Sequence, residues 1–142
     1  MSMRQSEKKM FIASLDKKNR PSYMSTYKRG NTFSTKTRQL GRFTLATDTI
    51  PPKIRPKNFK NKQWLTNYKY LSLKISDDLS GIDTYSATLN GEWILMEYEP
   101  KNSTITYNFD DKILDQKQCE LKVTVTDNVG NTTTFSSSFY RN

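Results

Sequence analysis

Asp77, Asp78, Asp127 and Asn128 are the residues whose side chains and spacing are best suited to chemistry. They lie in two polar segments, "SDDLSG" and "TDNVGN", and each segment separates two runs in which apolar and polar residues alternate. Carboxylate and amide oxygens are the ligands that calcium takes, and calcium tolerates irregular geometry. The same side chains also accept backbone N–H bonds within their own turns. The sequence leaves both interpretations open: a calcium site, or the closure of two loops.

Most other site chemistry is excluded by composition. The chain of 142 residues has no histidine and a single cysteine, Cys119. Without imidazole there is no Ser-His-Asp or Cys-His arrangement and none of the usual zinc sites. Paired carboxylates of the glycosidase type remain at 77–78, 97–99 and 110–111, but each pair fits ordinary turn or surface charge. We therefore predict no catalytic residues and no firm metal ligand, and we predict that Cys119 faces the core.

The elements that must position the two polar segments are β-strands. "YLSLKI", "IDTYSATL", "EWILMEY", "STITYNF", "CELKVTVT" and "TTTFSSSFY" follow one another at intervals of 10 to 14 residues, with polar turns between them. Asn90-Gly91 suits a type I′ turn, so a hairpin is predicted over 82–98. No segment has a convincing helical pattern. The spacing predicts an all-β protein with an immunoglobulin-like β-sandwich of about seven strands.

A proline-rich stretch divides the chain. Residues 49–57 contain "IPPKIRP", which disfavours a helix or a central strand and predicts a linker running into an edge strand. Residues 1–48 carry three short strand-like segments, and we predict that they are the tail of a preceding β domain. Residues 58–142 are predicted to form the sandwich. In that fold the second-to-third loop and the last loop lie at the same end, so Asp77 and Asp78 should approach Asp127 and Asn128.

Positive charge is concentrated in the first half of the chain. Residues 1–70 carry 17 Lys and Arg against 3 Asp and Glu, a balance of +14, whereas residues 71–142 carry 6 against 11, a balance of −5. Aromatic residues are interleaved with the basic ones, and such a surface can hold an anionic polymer. Lysine residues on β-strand edges also prevent pairing with other chains, and this ordinary role explains the positive charge without a ligand. Nucleic acid is therefore not the favoured partner.

Aromatic side chains offer a further means of binding. Trp64 and Tyr68, in the polar stretch "KNKQWLTNYK", are the candidates for contact with a ligand such as a sugar. Trp93 follows the Asn90-Gly91 turn in a strand that is apolar on both faces, and we predict that it is packed.

Three segments together resemble bacterial extracellular Ig-like domains: "TDTIPPKI", "SDDLSGIDTYSATLNGEWILMEYE" and "LKVTVTDNVGNTTTF". Those domains often open with Asp-Thr-x-x-Pro, carry Asp-x-x-Ser-Gly-Ile and close with Asp-x-x-Gly-Asn. More narrowly, the stretch from "SGIDTYSATLNGEW" to "ITYNFD" resembles the C-terminal module of Bacteroidetes cell-wall peptidases of the lysostaphin/LytM type. The resemblance covers residues 48–142.

The resemblance implies a role beside an enzyme. The peptidases are zinc enzymes that cut peptidoglycan cross-links, but their histidine ligands have no counterpart here. What it implies is a non-catalytic module that spaces or positions a peptidase, with an upstream catalytic domain or a cell-wall polymer as its partner. It also implies an extracytoplasmic location as part of a longer chain. If the chain were the whole protein, we would expect it in the cytoplasm, because the apolar stretch near its start is too short for a signal peptide and no run is long enough to span a membrane.

Overall fold

The computed structural model describes residues 5–30, 32–38, 40–112, 114 and 116–142. Within these ranges the chain is almost entirely β. The helical elements are one turn of α-helix, α1 (Gln5–Lys8), and two 3₁₀ turns, Pro100–Asn102 and Phe109–Asp111. No helix in the described ranges has the length and apolar character that crossing a membrane requires.

The N-terminal part forms a small sheet and a hairpin. Strand β1 (Met10–Leu15) lies between β2 (Pro21–Tyr23) and β5 (Arg42–Thr47), and both neighbours run antiparallel to it. Strands β3 (Tyr27–Arg29) and β4 (Thr32–Ser34) form the separate hairpin. The predicted strand "SYMSTYK" is thus divided between β2 and β3.

The remaining strands form two sheets that enclose one core. Their bounds are β6 (Lys53–Pro56), β7 (Gln63–Trp64), β8 (Tyr70–Ser76), β9 (Ile82–Leu89), β10 (Glu92–Ile94), β11 (Glu97–Glu99), β12 (Thr104–Asn108), β13 (Gln118–Asp127) and β14 (Thr132–Tyr140). One sheet has the order β11-β12-β8-β6, and the other has the order β10-β9-β13-β14-β7. In Ig nomenclature these are the D-E-B-A sheet and the C′-C-F-G sheet with a parallel A′ strand at its edge. The predicted immunoglobulin-like sandwich is therefore present, with nine strands instead of about seven.

The core lies between the two sheets because alternate residues of each strand face inward. Leu71, Leu73 and Ile75 of β8 are buried, and so are Leu121, Val123 and Val125 of β13. Cys119 is fully buried among them, as its position in the strand predicts.

The predicted hairpin over 82–98 is only partly correct. Asn90 and Gly91 have φ values of 54° and 83°, as a type I′ turn requires, and β9 pairs with β10 beyond them. The returning strand, however, leaves this sheet after Ile94, and its continuation β11 pairs with β12 in the opposite sheet. The crossing turns Trp93 and Leu95 outward, where they are 66% and 52% exposed, so the prediction of a packed Trp93 was wrong.

Candidate functional site

The last turn of the sandwich is closed by the side chain of Asp127. Its Oδ1 accepts hydrogen bonds from the backbone N–H groups of Val129 (3.0 Å) and Asn131 (2.8 Å). Its Oδ2 accepts a further bond from Asn131 Nδ2 at 2.8 Å. Asp127 is fully buried, and Gly130 adopts the φ of 86° that the turn needs.

Asp48, at the end of the N-terminal part, is drawn into the same place. Its Oδ2 accepts from the backbone N–H of Ser80 at 3.0 Å and from Ser80 Oγ at 2.6 Å. Its backbone carbonyl accepts from Asn131 Nδ2 at 2.8 Å. Asp48 is 2% exposed, and donors from the two sandwich loops satisfy its buried carboxylate and its backbone carbonyl, respectively.

Asp77 completes the cluster from the loop between β8 and β9. Its Oδ2 accepts from the backbone N–H of Gly81 at 2.9 Å and from that of Leu79 at 3.3 Å. Its Oδ1 is buried and has no hydrogen-bond partner in the described part of the chain. One carboxylate oxygen from each of Asp48, Asp77 and Asp127 lies within 4.8 Å of the other two.

Because Asp48 and Asp77 lie close together in different surroundings, their pKa values move in opposite directions. Burial raises the pKa of Asp77 to about 6, and a hydrogen bond with the neighbouring Asp48 carboxylate adds to the rise. Burial also opposes the ionisation of Asp48, but hydrogen bonds from the Ser80 hydroxyl and backbone N–H outweigh it and hold the pKa of Asp48 below its usual value. Asp48 is therefore the anion of the pair, and Asp77 is the group that keeps a proton in mildly acidic solution.

Whether the cluster can bind a metal depends on how many of its carboxylate oxygens are free of hydrogen bonds. Three carboxylates at this spacing meet the first requirement of a calcium site. The oxygens of Asp48 and Asp127, however, already accept hydrogen bonds from Ile50, Ser80, Val129 and Asn131. Of the carboxylate oxygens in the cluster, only the Oδ1 of Asp77 has no hydrogen-bond partner among the described residues. The geometry thus accounts for turn closure apart from that one oxygen, and calcium binding stays a prediction.

The residues predicted for the calcium site are not all in the cluster. Asp77 and Asp127 meet, as the loop argument predicts. Asn128 lies beside them but acts as a donor, since its Nδ2 bonds the carbonyl of Ser80 at 2.7 Å. Asp78 turns away and forms an ion pair with Lys53 at 3.2 Å.

The two aromatic candidates differ in exposure. Trp64 is 53% exposed on the edge strand β7, where its ring lies 5.1 Å from that of Tyr140. Tyr68 is half-buried and packs against the core, and its hydroxyl accepts a hydrogen bond from Gln63 Nε2. Tyr68 is therefore held by the fold, while Trp64 remains available to solvent.

Asp48 and Ser80 were not identified as site residues from the sequence, and the bond from Asn131 to Asp48 was not predicted either. Asp48 opens the "DTIPP" segment and Ser80 lies in "SDDLSG", so both belong to motifs that the sequence displays. Their partners are 32 and 83 residues away in the chain, and no local pattern signals such contacts.

Comparisons with known proteins agree with the fold and go no further. No family model matches the chain, and none of the curated proteins does either. Among solved structures, it is similar to an endo-β-1,4-mannanase from Thermotoga petrophila, with a TM-score of 0.53 and 8% identity over 67% of this chain and 20% of that one. An SrpA adhesin variant from Streptococcus sanguinis matches with a TM-score of 0.45 and 17% identity over 68% of this chain and 60% of that one. The chain spans less than two thirds of either protein.

Proposed function

We propose that this chain is a non-catalytic extracytoplasmic Ig-like module that holds a neighbouring cell-wall peptidase domain in a fixed position. The observation that carries the proposal is the joint at Asp48. This residue ends the N-terminal part, and it is fastened by its side chain and its backbone to both loops at one end of the sandwich. A spacer that transmits position needs such a joint, because a free linker would let its two ends rotate independently.

Contacts from Lys9, the residue before β1, reinforce the joint. The backbone N–H of Asp48 donates to the carbonyl of Lys9 at 3.0 Å. Lys9 Nζ in turn donates to the carbonyl of Val129 at 3.1 Å, which lies in the last loop of the sandwich. The small sheet is therefore tied to the sandwich at two points that are far apart in sequence.

The N-terminal sheet also offers a surface for the neighbouring domain. Strand β5 has no neighbour on the side away from β1 among the described residues, and five of its six residues are exposed. A groove of about 580 Å³ lies beside it, with Met10, Ile12, Phe33, Phe43 and Leu45 in its lining. An open strand edge next to apolar side chains is suited to another β element, and we propose that the adjoining domain packs here.

The missing residue types support a non-catalytic role. The chain has no histidine, so the zinc ligands of the peptidases it resembles cannot be supplied by its own side chains. Incubation of the purified chain with cell-wall muropeptides should give no products by mass spectrometry. Measurable turnover would contradict the proposal.

Residual dipolar couplings of the ¹⁵N-labelled chain test the rigid joint. We expect the couplings of β1 and β5 and those of the sandwich to fit a single alignment tensor. Asp48→Ala removes the acceptor for Ser80, so the N-terminal sheet should then require a tensor of its own. Asp78→Ala, which removes an exposed ion pair with Lys53 beside the same loop, is the matched control and should leave one tensor. Two tensors in the unmodified chain would rule out fixed positioning.

A second candidate function is the binding of anionic polymers, and the distribution of ion pairs favours it. In the described part of residues 5–70, only Arg20 and Lys53 form salt bridges with carboxylates. Most of the basic side chains described in this half therefore have no acidic partner, and the balance of +14 over residues 1–70 is available to an anionic ligand. A cell-wall polymer, a lipid headgroup surface or a nucleic acid would each provide the opposite charge.

A further inference from the structure

A cleft lies at the edge of the sandwich where the chain crosses from one sheet to the other. Its volume is about 310 Å³, and it is lined by Trp93, Ile94, Leu95, Tyr107, Asp111 and Lys112. A second hollow of about 180 Å³ adjoins it and shares Trp93, Ile94 and Leu95 with it. The two hollows flank the same short segment, so an extended ligand could contact both sides of it.

The apolar wall of the cleft is solvent-exposed. Trp93 and Leu95 are 66% and 52% exposed, although each is a large apolar side chain. Trp93 is paired across the sheet with Thr88, and Thr88 is paired with Lys122, so its neighbours on the outer face are polar. Nothing in the described part of the chain covers the indole, which leaves a flat apolar surface open to a ligand.

Tyr107 lines the inner wall, and its buried hydroxyl has no hydrogen-bond partner among the described residues. Tyr107 is 1% exposed, and its Oη makes no hydrogen bond within the described part of the chain. Burial raises the pKa of Tyr107, with the carboxylate of Asp111 as a further cause, so the hydroxyl is neutral. A neutral phenol both donates and accepts, and buried polar groups of this kind are normally satisfied.

The rim of the cleft carries charged groups of both signs. Lys112 forms an ion pair with Glu92, and Asp111 lies beside it with an exposed carboxylate. Two carboxylates against one ammonium group disfavour an anionic ligand. They also supply acceptors for the hydroxyl groups of a neutral one.

We propose that this cleft binds a neutral pyranose unit of a glycan chain. The C–H face of the sugar stacks on Trp93, and one of its hydroxyl groups bonds the Tyr107 hydroxyl. The carboxylate of Asp111 accepts from another hydroxyl at the rim. The site combines an apolar platform with a few fixed polar groups, which is how small-molecule sites obtain affinity and orientation together. This inference goes beyond the positioning role and does not depend on it.

Isothermal titration calorimetry of the full chain with neutral β-1,4-linked hexasaccharides tests the site. Chitohexaose, cellohexaose and mannohexaose are the probes, and ¹H–¹⁵N spectra report the indole N–H of Trp93. We expect at least one probe to bind and to shift that resonance. Trp93→Ala should weaken the binding by about tenfold or more, which corresponds to about 1.4 kcal/mol. Tyr27→Ala is the matched control, since Tyr27 is a similarly exposed aromatic residue in the separate hairpin of the N-terminal part, and it should leave the affinity unchanged.

A second variant isolates the buried hydroxyl. Tyr107→Phe keeps the aromatic packing of the core and removes only the Oη atom, so it should fold and should bind the same sugar several-fold more weakly. Unchanged affinity would show that the hydroxyl bonds only water, and the proposal would fail. It would fail equally if no neutral hexasaccharide shifted Trp93, or if an acidic galacturonic acid hexamer bound there more tightly. The dipolar-coupling experiment on the joint is read separately, so a failure of one proposal is distinguishable from a failure of the other.

Discussion

Asp48 makes contacts with three separate segments of the chain, and each contact has a different chemical form. Its carboxylate accepts from Ser80, its backbone carbonyl accepts from Asn131, and its backbone N–H donates to Lys9. Truncating one partner of a buried network leaves the other groups unsatisfied, and each such group costs about 1–3 kcal/mol. The network of Asp48 with Lys9, Ser80 and Asn131 therefore holds the start of the linker in place, because breaking any one of these contacts leaves a buried polar group unsatisfied.

The carboxyl of Asp77 should make stability depend on pH. Its pKa rises from 3.8 to about 6 on folding, mainly through burial. The folded protein thus holds this proton more tightly than the unfolded chain does. The stabilisation is fully present below pH 3.8 and is lost as the pH rises through 6. Asp77→Asn keeps an acceptor oxygen and mimics the protonated form, so we expect it to raise the free energy of unfolding at pH 7.5 and to match the unmodified chain near pH 3.5. Urea unfolding at a series of pH values measures this.

The control for this prediction is Asp78→Asn. Asp78 is the next residue, but its side chain is exposed and pairs with Lys53, so the variant should leave the pH dependence between 4 and 7 in place. If Asp77→Asn were as pH-dependent as the unmodified chain, the assignment of the raised pKa to Asp77 would be wrong.

Calcium should have little effect on the folded protein. The oxygens of Asp48 and Asp127 accept hydrogen bonds from protein donors, and a metal would have to displace them. We expect the melting temperature of a chelator-treated sample at pH 7.5 to stay unchanged when millimolar calcium is added. Calorimetric heat together with a higher melting temperature would instead establish the calcium site.

At the scale of the element, the short turn after β9 comes just before the point where the chain passes from the sheet of β9 to the sheet of β12. Asn90 bonds β13 through its side chain, because its Oδ1 accepts from the backbone N–H of Glu120 at 2.8 Å. Three residues beyond Gly91, the strand leaves the sheet, Ile94 and Met96 enter the core, and Trp93 and Leu95 face solvent. The exposed wall of the cleft is a direct product of that crossing.

Gly91→Ala tests the turn. Gly91 has a φ of 83°, and a Cβ there would meet no atom within 4 Å, so the cost is conformational and not steric. We expect the free energy of unfolding to fall by about 1–2 kcal/mol. Gly41→Ala is the matched control, because its φ is not positive and its Cβ would also meet nothing, and it should be close to neutral. Equal losses in the two variants would contradict a turn that depends on positive φ.

At the scale of the whole molecule, charge is divided between the two halves of the chain. The balance is +14 over residues 1–70 and −5 over residues 71–142. Ion pairing does not erase this difference where the first half is described, since the salt bridges found there involve Arg20 and Lys53. Any polyanion should therefore contact residues of the first half of the chain.

A salt titration with a fluorescent oligonucleotide and with polyphosphate measures that preference. If the second candidate function is correct, binding present at about 50 mM salt should weaken steeply by about 200 mM, because binding releases counterions. Reversing the charge of Lys17 and Lys18 together should reduce it. The same change at Lys101 and Lys122, two exposed lysines of the second half, serves as the control. Absence of binding at low salt would remove this candidate.

The sequence by itself determined the all-β class, the inward face of strands such as β8, and two loops that meet. Leu71, Leu73 and Ile75 alternate with polar residues, so only one face of β8 can enter the core. Asn90-Gly91 admits few backbone conformations, and the order of the strands brings Asp77 to Asp127 once a sandwich is assumed. These features are local or follow from topology, and for that reason they could be predicted.

Only the tertiary structure decided the rest. The returning strand has apolar residues on both faces, so alternation could not tell whether Trp93 or Ile94 enters the core. The burial of Ile94 and Met96 in the core between the two sheets settled it. Likewise, Asp78 and Asp77 are chemically identical neighbours, and only the folded loop decides that Asp77 meets Asp127 while Asp78 faces solvent beside Lys53 of β6. Asp48 became central because its donors come from loops 32 and 83 residues away, and contacts over such separations exist only when the whole chain has folded.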